Sequence, residues 1–384
     1  MKDKQNVLLL IPNLGSGGAQ RVFHQHREFL SDDFNVVSCA FNFDGAFEDD
    51  KNQNILSLDV PAGRNIIGKI SSFFQRISRL KKIKRDHSID LTISHLEGAD
   101  YVNILSHQKD KLVLWVHGTK QHDKEISGAM GWLRMNILLP WLYRRADKIV
   151  CVSKGIEDEL KAMIPSVSEK ILLRRNGIDI QSLQKKVMEP LPAEWQSFMS
   201  KHFVIVTHCR FAPQKNLKAL IHIISKLNDV DNVRFVLIGD GEQRNELVEL
   251  SKQLHVEEKV SFVGLQRNPF AWLRHSSLYV LVSLWEGFPL SLCEAIACGL
   301  PVVAADCPTG PKEILDFVPA GVLMPLVHED NPSSIDHWAT VLRNIINDSD
   351  ALHRYRKMAT ENAKVFSDEY AAQGTISVVK SILP

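Results

Sequence analysis

Glu286 and Glu294, separated by seven residues, stand in Leu284-Trp285-Glu286-Gly287-Phe288-Pro289-Leu290-Ser291-Leu292-Cys293-Glu294-Ala295, directly after an apolar run at 278–283. Pro289 can open a helix there and Gly299 can end it, and the N–H groups and positive dipole end of its first turn suit a diphosphate. One carboxylate in the loop and one inside the helix can accept from hydroxyls on different parts of one extended ligand. Upstream, in His208-Cys209-Arg210-Phe211-Ala212-Pro213-Gln214-Lys215-Asn216, an Arg is followed five residues later by a Lys. Two such cations can neutralise a departing diphosphate in place of a metal ion. A third candidate is the glycine-rich turn from Pro12 to Arg21, where Gly15, Gly17 and Gly18 let backbone approach a ligand closely. It is not the dinucleotide fingerprint, because Gln20 stands where a glycine is needed. His117 closes Leu112-Val113-Leu114-Trp115-Val116, His95 closes the preceding run, and Glu97 follows at once. Plainer readings stand beside these: a loop Glu and a solvated helical one, two surface cations at a helix start, and structural histidines at strand ends.

Loops can hold such residues only if strands and helices deliver them to one place. Short β-branched or Leu-rich runs alternate with amphipathic stretches: NVLLLIP, a helix over 18–30, FNVVSCAF, a helix over 66–85, DLTISH, KLVLWVH, a helix over 129–143, KIVCVS. Continuous apolar strands of this kind indicate parallel sheets covered on both faces. After Asn176-Gly177-Ile178-Asp179 a polar stretch leads into Glu189-Pro190-Leu191-Pro192, and the alternation restarts with FVIVTH. The expected fold class is α/β, with two doubly wound Rossmann-like domains facing each other across a cleft that collects the carboxyl ends of their strands. The boundaries read as 1–182, a linker over 183–200, a second domain over 201–365, and a final segment, 366–384.

A chain of 384 residues, 45% hydrophobic and 24% charged, has ample material for two cores. The charge of +1 (46 basic, 45 acidic) gives no global attraction to nucleic acid. The apolar run Val7–Ile11 is too short for a signal peptide or a membrane span, so a cytoplasmic location is expected. Six cysteines are scattered without a CxxC pair; Cys293, Cys298 and Cys307 match no usual zinc spacing, and no metal site is assigned.

The segment EGFPLSLCEAIACGLPVVAAD closely resembles the donor-site motif of family 4 of the retaining glycosyltransferases. The resemblance spans nearly the whole chain and implies the GT-B fold. It implies that Glu286 faces the donor sugar hydroxyls, that Gly287, Phe288, Pro289 and Leu290 lie near the diphosphate, and that Glu294 holds the ribose. By the same resemblance Arg210 and Lys215 stabilise the leaving diphosphate, and His117 stands beside the donor sugar. Gly17 and Gly18 abut the donor phosphate, and the backbone near Gly264-Leu265-Gln266 reads uracil, which puts Leu265 among the donor residues. His95, Glu97 and Arg21 are assigned to the acceptor. Family members commonly carry Gly after the lysine, where this chain has Asn216. Val152-Ser153-Lys154-Gly155 and Asn176-Gly177-Ile178-Asp179 resemble family turns. Cys307-Pro308-Thr309-Gly310-Pro311-Lys312-Glu313-Ile314 resembles a variant found among builders of bacterial surface polysaccharide. The final segment is expected to return to the first domain as a helix.

The implied activity is retaining, metal-independent transfer of a hexose or N-acetylhexosamine from a UDP-sugar to a lipid-linked, lipopolysaccharide or capsule glycan. The nucleotide sugar is a substrate and no cofactor is expected. A nucleotide-sugar epimerase of similar architecture and a non-catalytic scaffold of a polysaccharide assembly complex remain as alternatives. Eight Lys or Arg and no acid occupy 64–85 (Arg64, Lys69, Arg76, Arg79, Lys81, Lys82, Lys84, Arg85), with an apolar stripe from Ile66 to Ile83. This helix either lies on an anionic membrane surface or packs its stripe on the sheet with its lysines in water. Met130, Trp132, Leu133 and Trp141, near Arg134, Arg144 and Arg145, extend that candidate surface.

Overall fold

The structure is a computed structural model that describes residues 4–15, 17–43, 54–61, 63, 65–121 and 128–383. Arg64 of the basic helix lies outside the described residues. Two compact units divide the chain. The first comprises Met1–Asn176 with Glu369–Pro384, the second Gly177–Asp368.

In the first unit a seven-stranded sheet has the order β3-β2-β1-β4-β5-β6-β7. The strands are β1 (Asn6–Ile11), β2 (Asn35–Ala40), β3 (Ile55–Ser57), β4 (Leu91–His95), β5 (Lys111–Val116), β6 (Lys148–Cys151) and β7 (Ile171–Leu173), all paired in parallel. Val7 to Ile11 are wholly buried, as a strand covered on both faces requires. Connecting helices are α1 (Gly18–Ser31), α2 (Ile66–Asp86), α3 (Glu97–Leu105), α4 (Gly128–Leu133), α5 (Leu139–Tyr143) and α6 (Lys154–Met163), with a π-helical turn, Arg134–Leu138, between α4 and α5.

In the second unit the order is β10-β9-β8-β11-β12-β13. Its parallel strands are β8 (Phe203–His208), β9 (Val233–Ile238), β10 (Val260–Gly264), β11 (Leu278–Leu281), β12 (Val302–Ala305) and β13 (Gly321–Met324). Its helices are α7 (Ile180–Lys186), α8 (Ala193–Lys201), α9 (Leu217–Ser225), α10 (Arg244–Gln253), α11 (Pro269–Arg274), α12 (Leu290–Ala297), α13 (Pro311–Phe317), α14 (Pro332–Asn347) and α15 (Ser349–Asn362). Its core joins Phe211, Leu220, Phe235, Val280, Val303, Trp338 and Leu342.

The stretch read as a linker, 183–200, carries the end of α7 and most of α8 and lies inside the second unit. Short amphipathic helices around Pro190 and Pro192 look polar and turn-rich in sequence, which is why they read as a connection. A last helix, α16 (Asp368–Lys380), groups from Glu369 onward with the first unit. There Thr375 Oγ1 lies 3.2 Å from His26 Nε2 of α1, and Lys380 pairs with Asp33 at 2.9 Å.

Strand order decides where ligands bind. The chain steps from β1 through β2 to β3, then resumes on the other side of β1 with β4, so the switch point of the first sheet lies between β1 and β4. That of the second lies between β8 and β11. Loops leaving the carboxyl ends of two strands at a switch point run to opposite faces and open a crevice between them.

Candidate functional site

The second unit brings its candidates together at that switch point. Residues 209–216 leave β8 and residues 282–289 leave β11, and three hydrogen bonds tie the loops: Leu284 N to Gln214 O at 2.9 Å, Gln214 Nε2 to Trp285 O at 2.7 Å, and Asn216 Nδ2 to Val282 O at 3.2 Å. Across them Lys215 Nζ meets Glu286 Oε1 at 2.7 Å, with side chains only 17% and 7% exposed. Burial pulls the Lys215 ammonium toward deprotonation, but the Glu286 carboxylate outweighs it and the pKa is raised. Arg210, on the same loop, is exposed.

Asn216 adopts φ 55°, ψ 33°, a left-handed conformation that glycine enters freely and Asn tolerates best among other residues. The departure from glycine thus keeps the turn. It also adds a second bond, from Nδ2 to Val327 O at 2.9 Å.

Pro289 is the N-cap of α12, so the helix starts one residue later than Pro289 itself, and it ends at Cys298 with Gly299 in a positive-φ turn. Gly287 to Leu290 are buried. The first turn of α12 carries no acidic residue, which leaves its dipole available to an anion. Glu294, one turn inside, is 3% exposed, and its Oε2 lies 2.7 Å from His208 Nε2 at the end of β8. The pattern of residue types gave no signal for this pairing.

The Cys307–Ile314 segment buttresses the same loop. The Thr309 hydroxyl donates to the Glu286 carbonyl. Gly310, at φ 95°, packs so closely that an added Cβ would lie 2.5 Å from Pro289 Cδ and 3.0 Å from Gly287 O. Leu265 follows β10 at the sheet edge, two strands from β8, and is exposed.

In the first unit the candidates surround the β1/β4 switch point. Gly17 is the N-cap of α1, Gly18 begins that helix, and both are exposed, as is Arg21 one turn in. His95 ends β4, and its Nδ1 lies 2.9 Å from Nε2 of half-buried His117, which follows neighbouring β5. His95 is 0% exposed. An acceptor cannot touch it directly, so its place is behind His117 and not on an acceptor wall. Burial drives the pKa of His117 down to about 3, helped by the charge of Lys120; burial also holds His95 well below the usual imidazole range.

Leu96, between His95 and Glu97, has φ 72° and ψ 148°, a strained conformation for a branched residue of the kind that clusters at functional sites. Glu97 is not open for acceptor hydroxyls. Arg134 of the π-helical turn grips it in two bonds, at 2.5 and 2.6 Å, Lys120 Nζ lies 3.1 Å away, and Tyr101 donates to it as well. Burial pushes its pKa upward, but these cations outweigh that and bring it to about 2. Arg134 and Lys120 are therefore anchors that sequence reasoning missed, since the partners lie 37 and 23 residues away.

The two halves of the basic helix differ in burial. In its carboxyl half Ile77 and Leu80 are buried in the core, Arg76 and Arg79 bond the carbonyls of Val60 and Asp59 at 3.1 and 3.0 Å, and Lys84 is buried against Asp110 at 2.8 Å. Lys84 is thus not solvated. In the amino half Ile66, Ile67 and Phe74 stand 76%, 80% and 64% exposed, and on α4 and α5 so do Trp132 and Trp141, at 62% and 49%.

Comparison with known proteins agrees with this fold. Residues 193–364 match the model for glycosyl transferases group 1, and residues 16–182 match that for glycosyltransferase family 4. Between them the two matches make the chain a glycosyltransferase that resembles family 4. It is 27% identical, over 94% of its own length and 96% of the relative's, to the N-acetylgalactosamine-N,N'-diacetylbacillosaminyl-diphospho-undecaprenol 4-alpha-N-acetylgalactosaminyltransferase of Campylobacter jejuni. An uncharacterized glycosyltransferase of Methanocaldococcus jannaschii is 30% identical over 63% of this chain, a region that spans 61% of that relative. HepE of Anabaena, in its complex with UDP-glucose, superposes with a TM-score of 0.79 over 98% of this chain and 99% of its own, at 20% identity. The two parallel sheets are those of the GT-B fold.

Proposed function

We propose that this glycosyltransferase transfers a hexose or N-acetylhexosamine from a UDP-sugar to a glycan acceptor, with retention of configuration and without a metal ion. The observation that carries the reading is the Lys215–Glu286 pair at the switch point of the second sheet, with Arg210 on the same loop and the first turn of α12 behind Gly287–Leu290. The lysine and arginine take the charge that grows on the departing diphosphate, which is the work a metal would otherwise do. Glu286 and His117 position the donor sugar and Glu294 the ribose, while Gly17, Gly18 and Leu265 complete the donor contacts. In the transfer, the acceptor hydroxyl oxygen bonds to the anomeric carbon from the face that the diphosphate leaves. The bond from that carbon to the phosphate oxygen breaks, and the hydroxyl proton passes to a donor phosphate oxygen. Glu286, gripped by Lys215, serves as a positioning group and not as a glycosidase-type nucleophile.

The polyprenyl-linked acceptor in the name of the Campylobacter relative and the exposed amino half of α2 support a lipid-linked glycan acceptor, met at an anionic membrane surface on the cytoplasmic side. No described helix is long and apolar enough to cross a membrane. Sedimentation with phosphatidylcholine vesicles, with and without phosphatidylglycerol, tests that surface; recovery in neither pellet rejects it.

The first experiment is thermal unfolding in EDTA against UDP, GDP, ADP and their sugars, followed by product analysis with the stabilising donor. A UDP-selective rise and a product of unchanged anomeric configuration are expected. No shift with any nucleotide, with or without magnesium, leaves the scaffold reading; conversion of the donor without an acceptor leaves the epimerase.

A further inference from the structure

The position of His117 in the proposed transfer site raises the question of which of its nitrogens carries hydrogen, and His95 answers it. The two rings lie nearly parallel, 25° apart with centroids 5.1 Å apart, and His95 Nδ1 to His117 Nε2 is 2.9 Å. With both imidazoles held neutral by burial, this bond has two forms. Either His95 Nδ1–H donates to His117 Nε2, or His117 Nε2–H donates to His95 Nδ1. In the first form His95 Nε2 is a bare lone pair; in the second it bears a hydrogen.

The surroundings of His95 Nε2 choose between them. Among the described residues that atom is buried without a hydrogen-bond partner, in a pocket of rings: His26 at 5.0 Å, Phe23 at 5.7 Å and Trp115 at 6.3 Å between centroids. His26 gives it no bond, because His26 Nδ1 is itself buried without a hydrogen-bond partner among the described residues. Its Nε2 faces Thr375 Oγ1 at 3.2 Å, and since that hydroxyl gives its hydrogen to Ala371 O at 2.8 Å, His26 is the donor there. An orphaned buried N–H is rarer and costlier than an unused acceptor lone pair. The first form is therefore the stable one.

We propose that His95 is a positioning residue which donates through Nδ1 to His117 Nε2 and thereby fixes His117 as an Nδ1–H hydrogen-bond donor. His117 so held can give a hydrogen bond to a sugar or phosphate oxygen of the substrate. It cannot serve as a general base through Nε2, whose lone pair is already engaged. The inference rests on the transfer-site reading only for its kinetic consequence.

Long-range 1H–15N spectra of the full chain labelled at histidine nitrogen read the tautomers directly. Protonated Nδ1 and bare Nε2 are expected at His117, and a protonated Nε2 there overturns the proposal whatever the enzyme does. His95→Asn keeps an amide N–H near the Nδ1 position, whereas His95→Leu removes the donor. With the UDP-sugar that supports transfer, His95→Leu is expected to lower kcat about tenfold, as for a misplaced catalytic contact. The thermal shift by UDP should stay as in the native chain, and His95→Asn should recover most of the rate. Equal rates for the two variants reject the positioning role. Should His117→Ala itself leave transfer unchanged, the assignment of His117 to the site fails, while the spectra still decide the tautomer.

Discussion

Replacing Lys215 by Met separates the two duties of that lysine. The pair it forms with Glu286, at 2.7 Å, is mostly buried, and Glu286 as a whole is 5% exposed. Lys215→Met therefore strands a carboxylate out of water, a change that costs about 3 kcal/mol at the low end of the usual range, against a total stability of ~5–15 kcal/mol. In the proposed reaction the same change also removes one of the two cations assigned to the leaving diphosphate, worth about 10²–10³ in kcat. In Lys215→Met with Glu286→Gln no charge is stranded, and stability should return to within about 1 kcal/mol of the native chain. The rate should not return. Urea unfolding followed by hydrogen exchange of peptides from 177–368, with initial rates of UDP release, measures both. A single variant as stable as the double one, or a double variant that regains transfer, refutes the argument. The raised Lys215 pKa adds a check with a definite sign: the contribution of the pair is complete below the unfolded lysine pKa and is lost as pH rises through the folded one.

Acid should loosen the first unit. His26 and His117 are held down to about 3 from 6.5, so their stabilisation is full above the unfolded pKa and is lost as pH falls from 6.5 toward 3; at pH 5 each costs about 2 kcal/mol. His26→Gln, which keeps a donor toward Thr375 and cannot be protonated, should flatten the fall of the urea midpoint of the 4–176 peptides between pH 7 and pH 5; an unchanged slope counts against the buried, neutral ring. Gly310→Ala forces a side chain into a positive-φ position 2.5 Å from Pro289 Cδ, at a cost of about 1–3 kcal/mol. It should displace the 286–290 loop and diminish the thermal shift by UDP, and a native shift would show that the buttress is dispensable.

Much of this architecture is legible in the residues alone. Continuous apolar runs such as Val7–Ile11 and Val204–Val206 have no face for water, so they specify buried parallel strands, and whatever follows them must lie at a carboxyl edge. Glu286, Lys215, His95 and His117 were expected at such edges and lie there, and the family resemblance implied the roles proposed for them. Tertiary structure alone decided the partners. Periodicity reports how a segment meets core and solvent but carries no information on which distant segment lies opposite. Strand order therefore set the switch points, joined Lys215 to Glu286 across 71 residues, and placed His208 against Glu294. It also turned two expected acceptor contacts into internal ones, since Arg134 and Lys120 occupy Glu97 and His117 covers His95. The left-handed backbone at Asn216 and the close approach at Gly310 are likewise invisible to composition, because each is imposed by a neighbour that only the folded chain brings near.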